Sequence, residues 1–389
     1  MTTANVKTGV WTIENTYLKI NAGVWTYLAD DTPAPSGPQA GTMWVWGRNN
    51  YARLGLNNDG IHRSSPVQLP GTQWTGIAPR GLGSNALKCD NTLWSWGNYA
   101  QATGLNCSVK FSSPVQIPGT SWCSAEQGIY NGWAKKTDGT IWGWGGNSYA
   151  TVGDDSTVTR SSPVQILGSW CCIVGGYPGS AGLKTDNTLW VWGKNDKGAF
   201  GNGVWTNAVC GSPVQVAGNS WCAFSTNGKN MAGIKTDGTL WSWGYNNTGR
   251  LGDNTDISRS SPVQIPGTSW VDVGSGRCST IARKTDGTLW NWGNYQGAVI
   301  QPGLVQCNMH RSSPVQVPGT TWSHFSHNYS DHAMALKTDG TLWGWAFNNY
   351  VGSVGSNSAA AIYSPVQIPG SNWIDVKVSL YNTFARKSN

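Results

Sequence analysis

The chain has 389 residues, among them 51 glycines and 25 tryptophans, with only 12% charged residues and a formal net charge of +7. That composition excludes a disordered or coiled-coil protein and fits a rigid, turn-rich all-β body. The positive surplus forms no basic run with interleaved aromatics, so nucleic acid is not an expected partner.

No apolar run is long enough to span a bilayer, and residues 1–17 lack the basic-then-apolar layout of a secretory signal. Synthesis in a cytoplasm without a signal peptide is expected. Nine cysteines, with no Cys-x-x-Cys pair, fit a reducing site of folding. Cys123, Cys171 and Cys222 each follow a recurring tryptophan and read as small strand residues.

Residues 1–30 stand outside the repeat and echo themselves, Gly9-Val10-Trp11-Thr12 returning as Gly23-Val24-Trp25-Thr26. β-Branched and aromatic residues from Thr12 to Ile20 suit short strands, so a small N-terminal β module is expected. Pro33, Pro35 and Pro38 mark residues 31–40 as a semi-rigid linker. Residues 41–389 form the third and largest unit.

There the pattern Trp-x-Trp is written seven times: Trp44 and Trp46, Trp94 and Trp96, Trp142 and Trp144, Trp190 and Trp192, Trp241 and Trp243, Trp290 and Trp292, Trp343 and Trp345. Its period is 48 to 53 residues, the mark of a repeat architecture. Each copy travels with a Thr-Asp-Gly-like turn, a Ser-Pro-Val-Gln segment and a lone tryptophan, such as Trp270. Each unit offers four strands, with Asp-Gly read as a two-residue hairpin turn. The repeat lysines, from Lys88 to Lys387, mostly precede an aspartate by two residues, which balances their charge locally.

Both rings of Trp-x-Trp share one strand face, because side chains alternate. The intervening residue varies (Val45, Ser95, Gly143, Asn291), so the opposite face tolerates almost anything small or polar. Seven sheets that bury such walls by radial stacking make a seven-bladed β-propeller of four-stranded antiparallel blades. The last segment, Thr383-Phe384-Ala385-Arg386-Lys387, matches Thr280-Ile281-Ala282-Arg283-Lys284 and stops where other units turn. Phe384 to Lys387 is therefore expected beside Met43 to Gly47, in one blade built from both chain ends.

The pattern Trp243-Gly244-Tyr245-Asn246-Asn247-Thr248-Gly249-Arg250-Leu251-Gly252, with its seven copies, resembles the repeats of the regulator of chromosome condensation family. That resemblance implies a seven-bladed propeller. It spans several functions: nucleotide exchange on a small GTPase, plant UV-B photoreception and inhibition of a bacterial β-lactamase. No unit here exceeds its neighbours by more than a few residues, unlike exchange factors with their wedge insertion, and the photoreceptor's Gly-Trp-Arg-His-Thr motif is absent. Tyr17-Leu18-Lys19-Ile20-Asn21-Ala22-Gly23-Val24-Trp25 resembles short segments of tailed-bacteriophage structural proteins. It implies an anchor carried by Trp11, Tyr17, Lys19 and Trp25.

No nucleophile elbow, phosphate loop or zinc-protease motif occurs, so neither enzyme nor cofactor is expected. His324, His327 and His332 are a weak metal candidate, with a solvated polar loop as the preferred reading. His62 and His310 read as loop surface, and the recurrent turn aspartates as turn formers rather than calcium ligands. Binding residues are sought in the loops after Trp-Gly: Tyr99, Phe111, Lys194, Lys197, Phe200, Trp205, Tyr295, Tyr350 and Tyr363. A second set, on what is read as a separate short-loop side, is Tyr130, Trp133, Tyr177, Tyr329 and Tyr381. The expected function is that of a non-enzymatic tailed-phage virion protein. It would dock through residues 1–30 on a tail, baseplate or capsid partner and present the disc to a host protein or glycan. The alternatives are a cytoplasmic protein-interaction propeller and a glycan-binding propeller.

Overall fold

The computed structural model describes residues 41–388 other than 82, 99–102, 108, 295–309, 328–331, 347–348 and 350. The expected N-terminal module, its linker and the anchor residues Trp11, Tyr17, Lys19 and Trp25 lie outside the described residues, as do Tyr99, Tyr295, Tyr329 and Tyr350. The described chain is all-β apart from two short 3-10 turns at Asn50–Ala52 and Asp196–Gly198. No helix among the described residues is long and apolar enough to cross a membrane.

The strands pair into seven antiparallel four-stranded blades, two of them bridged by the single pair Gly41 and Trp74. In the blade of residues 221–265 the order is Trp221–Thr226, Asn230–Lys235, Leu240–Gly244, Arg259–Ile265. The lone-tryptophan strand is innermost, packed on its counterpart in the next blade, where the Ser275 N–H donates to Ser225 Oγ at 2.8 Å. The Ser-Pro-Val-Gln strand is outermost. Its proline lies inside the strand, beside a register shift between Ser242 and Gly244, where an edge strand needs no N–H from it.

Strand Asn382–Ser388 pairs along its full length with Gly41–Gly47, Phe384 opposite Val45 and Lys387 opposite Thr42. Trp373–Val378 and Arg63–Gln68 complete that blade, so both ends of the described chain share it.

The hairpin turns differ from the two-residue form. Lys235 N–H donates to Thr239 O, and Gly238 N–H to Lys235 O. Only Gly238 takes a positive φ, +76°, so Asp237 never needs one; this is a type I turn closed by a left-handed glycine. Asp237 instead accepts from the Thr239 N–H at 2.9 Å and its hydroxyl at 2.6 Å, and that hydroxyl receives Trp241 Nε1 at 2.9 Å. The same relay runs from Asp90, Asp138, Asp186, Asp286 and Asp339. The repeat lysines do not chiefly face these aspartates. Lys235 Nζ sits 4.4 Å from the Trp241 ring centroid and 5.2 Å from that of Trp221, and all seven lysines make this cation–π contact.

Within each blade the lone tryptophan meets the Trp-x-Trp rings across the second strand, Trp270 lying 6.2 Å from both Trp290 and Trp292. This wall packs on the other face of the preceding blade. Met43, Val45, Leu69 and Phe384 cover Trp74 and Trp96. The residue between the two tryptophans is therefore buried, not free to vary at a surface: Val45, Ser95 and Ser242 are fully enclosed. The second tryptophan also reaches the preceding blade by hydrogen bond. Trp96, Trp192, Trp243 and Trp292 donate Nε1 to the carbonyls of Arg53, Thr151, Ala199 and Arg250 at 2.8 to 3.0 Å. Gly252, at φ +82°, lies so close that a Cβ there would fall 2.6 Å from Trp292 Nε1.

Candidate functional site

Counting strands alone places the loops. The loop joining the first and second strands of a blade and the long loop joining its third and fourth leave at the same end. Gly146 N–H donates to Tyr130 O at 2.8 Å, Tyr245 N–H to Lys229 O at 2.9 Å and Arg48 N–H to Tyr381 O at 3.0 Å, each linking a long loop to a short one. The short and long loops, expected on separate sides, thus share one face. The Asp-Gly turns occupy the other.

The long loops are braced rather than loose. Asn246 receives the Leu251 N–H on Oδ1 at 2.9 Å and donates Nδ2 to Asp253, Thr255 O and Ile257 O. Asn49, Asn147, Asn195 and Asn349 repeat the device. Asp253 is further tied to Arg259 at 2.9 Å, and Asp154 to Arg160 at 2.6 Å. Loops held by buried amides present side chains at fixed positions, which lowers the ordering cost of binding.

What they present is a band of cations on aromatic rings. Arg48 lies 5.0 Å from the Tyr381 ring centroid, and the exposed Tyr51 ring covers the buried Arg53 guanidinium at 5.4 Å. Lys194 lies 5.6 Å from Tyr149, while Lys197 lies 6.0 Å from Trp205 and 5.9 Å from Tyr245. Arg250, buried and donating to Arg277 O at 2.6 Å, lies 4.8 Å from the Tyr245 ring centroid and braces it from below. Among the described residues no carboxylate forms an ion pair with Arg48, Arg53, Lys194 or Lys197. Burial, and then the adjacent Arg48 charge, bring the Arg53 guanidinium down to about 10, still protonated at neutral pH.

Of the loop residues singled out from the sequence, Lys194, Lys197 and Trp205 fall in this band. Trp205 is 52% exposed. Tyr363 is exposed but lies in the outer strand Ile362–Gln367. Phe111 opens the outer strand Phe111–Gln116 and packs partly on a core cluster. Phe200 is a correction: it is core, buried with Leu189, Val191 and Trp221, because it takes the place that Leu251 holds in its own unit. Trp133 is another: it is buried on the second strand of its blade, with Nε1 donating to Val152 O at 3.0 Å. Sequence reasoning missed Arg48, Tyr51, Arg53, Tyr149, Tyr245 and Arg250. Their signal was departure from the glycine and asparagine that otherwise fill the segment after Trp-Gly.

The histidines are not in a solvated loop. His324 lies on the inner strand Trp322–Ser326, His332 begins the strand His332–Lys337, and both are buried, as is His327. His332 Nε2 meets Thr383 Oγ1 at 2.8 Å, His327 Nε2 meets Ser279 Oγ at 2.9 Å, and His324 Nε2 faces Asp375 at 3.6 Å. Each thus joins a different neighbouring group, and no three His, Cys, Asp or Glu side chains converge as metal ligands among the described residues. Burial holds His324 and His327 down to about 4 and His332 to about 3. His62 and His310 are exposed, His310 pairing with Asp256 at 2.8 Å.

The family model for the Regulator of chromosome condensation (RCC1) repeat matches residues 40–78 and 237–282. Those two stretches resemble the RCC1 repeat. Among solved structures, Prp20p of Saccharomyces cerevisiae superposes with a TM-score of 0.79 at 16% identity, covering 90% of this chain and 92% of that one. Human WBSCR16 gives 0.77 at 19% identity, covering 90% and 99%. At these identities the likeness establishes the RCC1-like propeller fold. No curated protein matches the chain in sequence.

Proposed function

We propose that this RCC1-type propeller is a protein-interaction module that engages a partner through its loop face, meeting an acidic protein surface. The observation that carries the reading is the band of Arg48, Lys194 and Lys197 stacked on tyrosine and tryptophan with no ion-pairing carboxylate among the described residues. Tyrosine, tryptophan and arginine are the residues that most often carry binding energy at interfaces. The opposite face offers Asp-Gly turns whose carboxylates are already spent on Thr hydroxyls and whose lysines are committed to rings. The solved structure of Prp20p, of the same fold, is described together with its binding to Gsp1p and histones, and a second yeast structure shows Prp20 with Kap60. A protein-binding role for this chain is consistent with those uses of the fold.

The virion expectation rests on residues 1–30, outside the described residues, and the family match begins at residue 40; the loop-face reading needs no anchor. The test is cross-linked capture from extract of the source cell with wild type, Lys197→Glu, Arg48→Glu and, on the turn face, Asp237→Arg. Loss of the same captured protein with either loop-face variant and its retention with Asp237→Arg supports the reading. Loss with Asp237→Arg alone overturns it.

A further inference from the structure

Where two blades meet on the loop face, the repeat is interrupted by three tyrosines. Tyr130 comes from a short loop, Tyr149 from the long loop of the same blade, and Tyr177 from the short loop of the next. Tyr177 sits edge-to-face with both others, at 5.2 Å from Tyr130 and 5.4 Å from Tyr149. Together with Asn131, Ser148 and Thr151 they line a pocket of about 210 Å³. The floor belongs to the braced scaffold: Asn131 Nδ2 donates to Thr151 Oγ1 at 2.7 Å, and both residues are buried. The blade of both chain ends repeats two of these rings, Tyr381 standing where Tyr130 does and Tyr51 where Tyr149 does, while Lys229 and Arg277 take the places of Tyr130 and Tyr177 in two other blades.

The lining selects a ligand class. The volume is below the roughly 300 Å³ at which drug-sized pockets begin, so one ring or one side chain fits. The walls combine aromatic rings with hydroxyl and amide groups, which suits a ligand with an apolar C–H face and polar edges. No carboxylate lines the pocket, and the Lys194 ammonium stands 5.6 Å from the Tyr149 ring centroid. A cation, which an aromatic cage would otherwise attract, is disfavoured by that charge. We infer that the pocket binds a single pyranose residue, neutral or carrying a carboxylate, whose C–H face stacks on tyrosine. This inference is independent of which protein the face engages.

Saturation-transfer NMR on the full chain tests it, with methyl glycosides of glucose, galactose and N-acetylglucosamine, with glucuronate, with tetramethylammonium, and with N-acetyl amino-acid amides. The expected result is transfer from the protein's aromatic protons to the C–H protons of at least one sugar, at millimolar affinity. Tyr149→Ala should weaken it at least tenfold. Ser148→Trp, at an exposed position on the rim, should abolish it while the melting transition is kept. A response confined to glucuronate identifies an acidic sugar read by Lys194. No response from any sugar, a sugar response undiminished in both variants, or stronger binding of tetramethylammonium or an amino-acid amide overturns the inference.

Discussion

Trp133 faces Gly143 across neighbouring strands, and each explains the other. They are register partners, and a Cβ on Gly143 would stand 3.0 Å from the Trp133 ring. The far edge of the same ring enters the next blade, where a Cβ on Gly175 would fall 2.0 Å from it. Met334 and Gly344 repeat the pairing, with a Gly344 Cβ 2.5 Å from the Met334 sulfur. Glycine between two tryptophans thus marks a blade whose second strand supplies the interblade bulk.

Trp133→Ala should therefore cost about 3–5 kcal/mol in denaturant unfolding, as expected for emptying a buried indole site. Gly143→Val should be destabilising in wild type and much less so in the Trp133→Ala background, since the added methyls then enter the vacated volume. Additive effects in the double-mutant cycle would deny that the two positions share one space.

Gly252→Ala should destabilise by about 1–3 kcal/mol, because alanine is strained at φ +82° and its methyl would displace Trp292 from the Arg250 carbonyl. Thermal unfolding checks this, with Gly60→Ala as the comparison, where the φ is +80° and no atom lies within 4 Å of the added Cβ. A loss at Gly60 equal to that at Gly252 would show that backbone strain alone is responsible.

Removing residues 382–388 should abolish cooperative unfolding, since that strand pairs at seven positions with Gly41–Gly47 and no other strand among the described residues closes the ring. An unchanged calorimetric transition would contradict the closure.

Acid should weaken the fold between about pH 6.5 and 4. His324, His327 and His332 have folded values of about 4, 4 and 3, below the ordinary 6.5, so their contribution is present above 6.5 and is lost as pH falls. Burial is the main cause for all three; the Lys377 charge also lowers His324, against Asp375, and His327 lowers His332. Asp272 acts oppositely: burial raises it to about 6 despite Arg283, so acidification relieves it. From pH 7 to 5 the three histidines lose at most about 2 kcal/mol each and Asp272 returns about 1. His327→Gln should flatten the slope by about two-fifths in urea titrations at the two pH values.

Much of the fold was legible because it is written periodically. Seven Trp-x-Trp copies specify blades, and the truncated final unit specifies where the ring closes. Trp133 was not legible, since its role depends on Gly143 and Gly175, one of them in another blade. The histidines misled because polar residues after a lone tryptophan read as loop. In fact His324 extends the inner strand by the same register step that places Asp272 and Asp375. The candidate face was half legible: Lys194, Lys197 and Trp205 stood out by type. That the short-loop tyrosines join them follows from strand parity within a blade, a topological fact rather than a property of any residue.

The loop face as a protein-binding surface is tested most directly by hydrogen exchange on the captured complex. Protection on binding is predicted in the segments holding Arg48 to Arg53, Lys194 to Trp205 and Tyr245 to Arg250, with none at the turns of Asp138, Asp237 and Asp286. Protection at those turns with the loop segments unchanged would contradict it.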